Sequence, residues 1–250
     1  MFSIFKNKSK GSAVSTSLPF LVDIHSHILP GIDDGADAVA TSLSLIQSLM
    51  ALGITQSIAT PHIISDMYKN NAQTISVALH KVQLALQQNN INFKLKAAAE
   101  YMLDDYFFEL LQSKIPLLTL TDNYVLTEFS YAEKPSNIEQ MVFSIITEGY
   151  QPILAHPERY TYFHNDYAQY EKLRDLGFLL QINLLSLTGY YGKPVAKAAA
   201  YLAKHNLVAF AATDLHHTRH MQALQNPQNL AIFSQTFPQQ QPQLNAVFSF

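Results

Sequence analysis

About seven times between residues 19 and 213, a short apolar run gives way to a stretch of helical periodicity. Strands are expected at 19–24, 54–60, 93–99, 124–129, 152–155, 178–184 and 207–213. Helices are expected at 38–52, 72–89, 104–112, 136–148, 166–176 and 194–204, with Gly53, Gly149 and Gly177 as stops. Alternation of this kind implies parallel strands joined by helical crossovers. A closed or nearly closed α/β barrel is the natural architecture, and an open doubly wound sheet is its competitor. No Gly-rich phosphate loop follows the first strand, which weakens the nucleotide-binding form of that competitor.

Composition narrows the chemistry. The 250 residues carry 16 Lys+Arg against 19 Asp+Glu, a net charge of −3. That balance argues against a nucleic-acid coat or a polybasic membrane binder. Cysteine is absent, so there is no disulfide, no thiolate metal site and no Cys nucleophile. Any metal site must be built from Asp, Glu and the ten histidines. No run of about 18 residues is free of charged or strongly polar groups, so no membrane span is expected. Residues 1–18 contain Lys6, Lys8 and Lys10 but no apolar h-region, and are read as a flexible arm rather than a secretory signal. The cytoplasm is the expected compartment. Residues 19–222 form the expected domain. The Gln-rich stretch 223–250 is expected to hold one helix and a poorly specified tail, whose final AVFSF docks on the body or on a neighbour.

The polar residues fall at the C-terminal ends of the expected strands. The first ends in Asp23-Ile24-His25-Ser26-His27, the second in Thr60-Pro61-His62 and the third in Glu100. The fourth carries Glu128, the fifth ends in His156-Pro157-Glu158-Arg159, the sixth near Asn183 and the seventh in Asp214-Leu215-His216. In a parallel barrel these ends converge on one face, where active sites are built. One face would then gather at least five imidazoles and several carboxylates. Uncompensated, such carboxylates repel one another and lose solvation, and divalent metals remove the conflict. Two residues apart on an extended strand, His25 and His27 share a side, as do Asp214 and His216. Nitrogen and oxygen ligands without sulfur suit Mn, Fe or Zn. Alone, each His or Glu is more often structural; their recurrence at six strand ends makes the case. His80, His164 and His205 lie on or beside helices and are read as ordinary.

The strings DIHSHILPGIDDGA, TPHI, VLTEF, AHPERY and TDLHH, with the isolated Glu100, resemble the PHP (polymerase and histidinol phosphatase) domain. More closely, they resemble its capsular-polysaccharide branch, the metal-dependent protein-tyrosine phosphatases of the CpsB/YwqE type. The likeness runs from about residue 20 to about 220, and its D-D-G extension is its most specific part. It implies a distorted (β/α)7 TIM-like barrel with three divalent ions, manganese first and iron or zinc as alternatives. It implies that His25, His27, Glu100 and Asp214 hold one ion. Glu100 would bridge to a second ion held with Glu128 and His156, and Asp34, His62 and His216 would hold a third. Arg159 would bind phosphate. Arg219 lies near a second family arginine, although DLHHTRH does not align cleanly there. His217 and His220 match no family role; the surface is their default place, with a supporting position behind the ligands as the alternative for His217.

The implied activity is hydrolysis of phosphotyrosine by a metal-activated hydroxide, with Asp34 and His62 as candidates to assist the leaving oxygen. The implied partner is the Tyr-rich tail of a bacterial tyrosine kinase that controls polysaccharide export. The chain is not expected to bind nucleic acid, and an oligomer is compatible with its sparse charge. A small-molecule phosphoesterase such as a histidinol-phosphate phosphatase is the alternative, and a non-catalytic metal-binding module ranks below both.

Overall fold

The computed structural model describes residues 17–238 and 244–250. Nearly all of the expected 1–18 arm, with its three lysines, lies outside the described residues. The chain runs through β1 (Val22–Asp23), α1 (Val39–Ala51), β2 (Gln56–Ala59), β3 (His62–Ile63) and α2 (Ala72–Gln88). It continues through β4 (Lys94–Ala97), β5 (Glu100–Met102), α3 (Asp105–Gln112), β6 (Tyr124–Glu128), α4 (Ile138–Thr147) and β7 (Gln151–Ala155). The remaining elements are α5 (Ala168–Leu176), β8 (Leu179–Asn183), α6 (Lys193–Lys204), β9 (Val208–Ala212), α7 (Thr218–Leu224) and α8 (Pro227–Thr236).

Strands pair in parallel in two sheets, ordered β1-β2-β4 and β3-β5-β6-β7-β8-β9. The register is common to both: Ala59 opposes Ala97 and His62 opposes Glu100. Two of the expected strands thus arrive in two pieces each. Pro61 accounts for the first break, because it has no N–H to give the ladder. Its carbonyl still accepts from Glu100 N, at 3.1 Å.

The last strand is stitched to the first largely by single contacts. Asp214 N donates to His25 O (2.9 Å) and His27 N to Leu215 O (2.8 Å). Below them the buried Asp23 carboxylate accepts from Thr213 N (3.0 Å) and Thr213 Oγ1 (2.5 Å). Burial pushes Asp23 up to about 6, against the pull of the two Thr213 bonds. These contacts bring the two sheets into one TIM-like α/β architecture.

Strand periodicity divides the interior along its axis. Leu126 precedes Glu128, Ala98 precedes Glu100, and Phe210 and Ala212 precede Asp214, each at a spacing of two and so on one side of its strand. The lower members join Val22, Ile24, Ile58 and Ile153 in a buried apolar cluster, and the upper members are the polar ones. A larger cluster packs helices onto the outside, with Leu45, Ile46 and Leu49 of α1 and Ile75, Val82 and Leu86 of α2 buried in it. The Asn71–Thr74 capping box fixes the start of α2, satisfying two otherwise unpaired amides. Gly177 ends α5 with φ 117°, and a Cβ there would meet Ile146 Cδ1 at 2.7 Å.

Beyond α6 the expected helix of the 223–250 stretch is α8, and a short helix not expected from the sequence, α7, precedes it. Two helices form, because Asn226 caps α8 and Pro227 opens it, separating it from α7. Residues 244–250 then return to the lower end of the strands. Phe248 is 1% exposed and packs edge-on against Tyr124 and Phe210. Asn245 Nδ2 donates to Val22 O and Ala211 O, joining the first and last strands from below.

Candidate metal centre

The expected ligands meet at the C-terminal mouth of the strands. The Nε2 atoms of His25 and His27 are 3.2 Å apart. Each lies within 3.4 Å of both Glu100 Oε2 and Asp214 Oδ1. His62 Nδ1 lies 3.1 Å from Glu100 Oε2 and 2.9 Å from Glu128 Oε1. His156 Nε2 lies 3.0 Å from Glu100 Oε1, and His216 Nδ1 3.4 Å from Asp214 Oδ1. Asp34 reaches in from the mouth, 3.5 Å from both His62 Nε2 and His216 Nε2, with its own side chain 51% exposed.

Backbone strain helps to aim these groups. His156 and Asp214 follow β7 and β9 with φ of 37° and 50°, a left-handed conformation that non-glycine residues seldom adopt. The D-D-G string has a physical reason as well. A Cβ on Gly35 would fall 1.9 Å from His27 O. With that carbon absent, the loop folds onto the first strand and Asp33 Oδ2 meets His27 Nδ1 at 2.8 Å.

The ring nitrogens settle whether cations fit. His25 Nδ1 faces Gln181 Oε1 at 2.8 Å and His27 Nδ1 faces Asp33 Oδ2. Both partners are acceptors, so each Nδ1 carries the hydrogen and each Nε2 turns a lone pair into the centre. Two facing lone pairs cannot bond each other. His62 Nδ1, Glu100 Oε2 and Glu128 Oε1 are also buried and face one another at 2.9–3.1 Å, with no other hydrogen-bond partner. Nitrogen and carboxylate oxygen donors converging this closely are what a divalent cation requires. Four overlapping groups of three or four ligand atoms arise: His27/Asp34/His62/His216, His25/His27/Glu100, His25/His156/Asp214 and His62/Glu100/Glu128.

In the protein alone, protons take the place of cations. Burial pulls the His62 imidazole down, but Glu100 and Glu128 outweigh it and hold it up at about 10. Burial likewise opposes ionisation of Glu100, yet His25 and His62 keep it well below the usual carboxylate range. His216 goes the other way, to about 4, because burial and neighbouring His27 both disfavour its charged form.

Arg159 stands at the rim, its Nη1 donating to Asp214 Oδ2 at 2.8 Å. Its guanidinium carbon lies 5.1 Å from the Tyr131 ring and 4.4 Å from the Tyr191 ring. These residues line a cavity of about 230 Å³ that opens onto Asp34, His62, Glu128, His156, Asp214 and His216. Arg219 does not join them; it is exposed on α7 and outside the cavity wall. The surface expectation does not hold for His220, which is 7% exposed on α7 and lines the cavity, and His217 lines it as well, in keeping with the supporting place offered as its alternative. His80 and His205 are exposed, and His164 donates to Glu158 O.

Sequence reasoning gave no supporting role to the residues that hold the candidate ligands. Asp33 and Gln181 orient His27 and His25, while Asn183 Nδ2 donates to Asp214 Oδ2 at 2.6 Å. Tyr131 stacks on His156 and its hydroxyl lies 3.2 Å from His156 Nδ1. A signal existed for two of them: Gln181 and Asn183 are polar at a spacing of two within an apolar strand, which marks one inward-facing side.

Parallel strands under helices, with an oxygen and nitrogen cage at their C-terminal mouth and an arginine beside it, define a TIM-like α/β protein with a site for divalent metals. The profile of the CpsB/CapC family, capsular polysaccharide synthesis, matches residues 21–229. The chain belongs to the CpsB/CapC family. It is 32% identical over 202 residues to the tyrosine-protein phosphatase YwqE of Bacillus subtilis, covering 80% of this chain and 78% of that one. It is 29% identical over 196 residues to the putative tyrosine-protein phosphatase CapC of Staphylococcus aureus, covering 78% and 77%. Among solved structures, one from the study of Bacillus subtilis YwqE and Streptococcus pneumoniae CpsB, described as unique metal-dependent tyrosine phosphatases, superposes with a TM-score of 0.77. That match has 31% identity and covers 86% of this chain and 87% of that one. Among the described residues, no helix is long and apolar enough to cross a membrane.

Proposed function

We propose that this protein is a metal-dependent phosphomonoester hydrolase that removes phosphate from phosphotyrosine. The observation that carries the reading is the cage itself: ring nitrogens of His25, His27 and His62 converge at short range on Glu100, Glu128 and Asp214, beside an arginine held at the rim. The tyrosine-phosphatase names of the relatives supply the substrate class. The nine ligand positions suit three ions, with manganese preferred over iron or zinc. The proposed partner is the phosphorylated tail of a bacterial tyrosine kinase acting in capsule or exopolysaccharide synthesis, in the cytoplasm.

Bound divalent ions would supply Lewis acidity toward phosphoryl oxygens and an activated water as nucleophile. The chain's own groups do the rest. Arg159, stacked between Tyr131 and Tyr191, offers a planar fork that can turn from Asp214 to a phosphate. Asp33 and Gln181 fix the tautomers of His27 and His25. A tyrosyl leaving group, with a pKa of about 10, needs little protonic help. Of the two residues expected to give it, Asp34 is half-exposed at the mouth, whereas His62 is enclosed by Glu100 and Glu128 and serves better as a ligand. With no cysteine in the chain, the thiolate route of other tyrosine phosphatases is closed. Turnover of p-nitrophenyl phosphate and phosphotyrosyl peptides with Mn²⁺ tests the reading. Turnover that persists unchanged in EDTA contradicts it.

A further inference from the structure

The segment after Asp214 packs three imidazoles into five residues, His216, His217 and His220, and the cage uses only the first. The other two line the same cavity as Arg159. Tyr191 connects the two walls: its ring lies 4.4 Å from the Arg159 guanidinium carbon and 6.1 Å from the His220 ring.

The two nitrogens of each ring have different tasks. His217 Nδ1 accepts from His220 N at the start of α7, at 3.4 Å. His220 Nδ1 accepts from His216 N, at 3.3 Å. A ring nitrogen that accepts a hydrogen bond carries no proton, so the hydrogen of each neutral ring sits on Nε2. The backbone thereby assigns both tautomers. Neither Nε2 bonds another of the described residues. The cavity is thus lined, next to a guanidinium, by two imidazoles whose Nε2–H groups find no acceptor among the described residues.

We propose that His217 and His220 form a donor subsite whose Nε2–H groups hydrogen-bond the phosphoryl oxygens of the substrate alongside Arg159. The subsite rests on the reading of the cavity as a phosphate-ester hydrolase site. It replaces Arg219, the residue that the family likeness offers for this wall, which the structure places outside it.

The test is binding of inorganic phosphate to the Mn²⁺-loaded protein by calorimetry, paired with p-nitrophenyl phosphate kinetics. His217→Asn keeps a short acceptor for the start of α7 and removes the Nε2–H. It should weaken phosphate binding about tenfold, as expected for a lost donor to a charged acceptor, and raise KM similarly with kcat little changed. Manganese content and melting temperature should stay at the wild-type values, which separates a substrate contact from a structural one. His220→Gln, which keeps an N–H near the Nε2 position, should hold phosphate within about threefold of wild type, and His220→Asn should not. Wild-type affinity in His217→Asn, equal losses in the two His220 variants, or a tenfold loss confined to Arg219→Ala would each overturn the subsite. A wild-type protein that neither binds phosphate nor turns over the ester defeats the parent reading instead.

Discussion

Phe248→Ala measures how far the returning C-terminal segment holds the strands together. The ring is 1% exposed and meets Tyr124 at 5.5 Å and Phe210 at 5.0 Å between centroids, both edge-on. It plugs the apolar cluster of Val22, Ile24, Ile58, Leu126 and Ile153. Truncating a buried Phe to Ala costs about 3–5 kcal/mol, from lost transfer free energy and from the cavity left behind. Edge-to-face partners on two sides place this site toward the upper half of that range. For a chain of this size, about 2–4 °C of melting temperature accompanies each kcal/mol, so the expected loss is roughly 10 °C or more. Urea unfolding of metal-free protein reads the free energy, and Val247→Ala, at a residue 50% exposed, should shift it by no more than about 0.5 kcal/mol. A loss below about 1 kcal/mol in Phe248→Ala would refute the plug.

Other perturbations address the site. Gly35→Ala puts a Cβ against His27 O, so the loop carrying Asp33 and Asp34 must move; metal content should fall sharply, and an unchanged stoichiometry contradicts the role given to D-D-G. Metal loading should release protons at pH 7.5, because His62, held up at about 10, keeps its proton until a cation displaces it. Its charged form stabilises the metal-free fold fully below about pH 6.5 and loses that effect as pH rises through about 10, so metal affinity should climb with pH across that window. Calorimetry in buffers of different ionisation enthalpy counts the protons, and a count of zero refutes the assignment. Arg159→Ala should lower kcat/KM for p-nitrophenyl phosphate by about 100-fold or more while metal content holds, and a loss under threefold removes it from phosphate recognition.

The convergence of the candidate ligands was legible because they fall one strand end at a time, and parallel strands carry their ends to one face. His25, His27, Glu100, Glu128, His156 and Asp214 all meet there as their positions imply. The supporting groups were less legible for physical reasons. Asp33 and Asp34 are adjacent, and only the fold of the loop decides that the first orients His27 while the second faces the mouth. Tyr131 and Tyr191 sit in loops, where no periodicity points a side chain anywhere. His220 was misplaced because α7 is short and its direction depends on tertiary packing. The final AVFSF docks on the body, one of the two places expected for it, with Phe248 buried beside Asn245.

Anomalous diffraction from crystals of the manganese-loaded protein, recorded on both sides of the Mn absorption edge, reads the cation cage directly. Strong peaks should lie among the His25 and His27 Nε2 atoms, Glu100, Glu128 and Asp214. Bound manganese found only elsewhere, with those side chains bonded to one another and phosphatase activity intact, would contradict the cage.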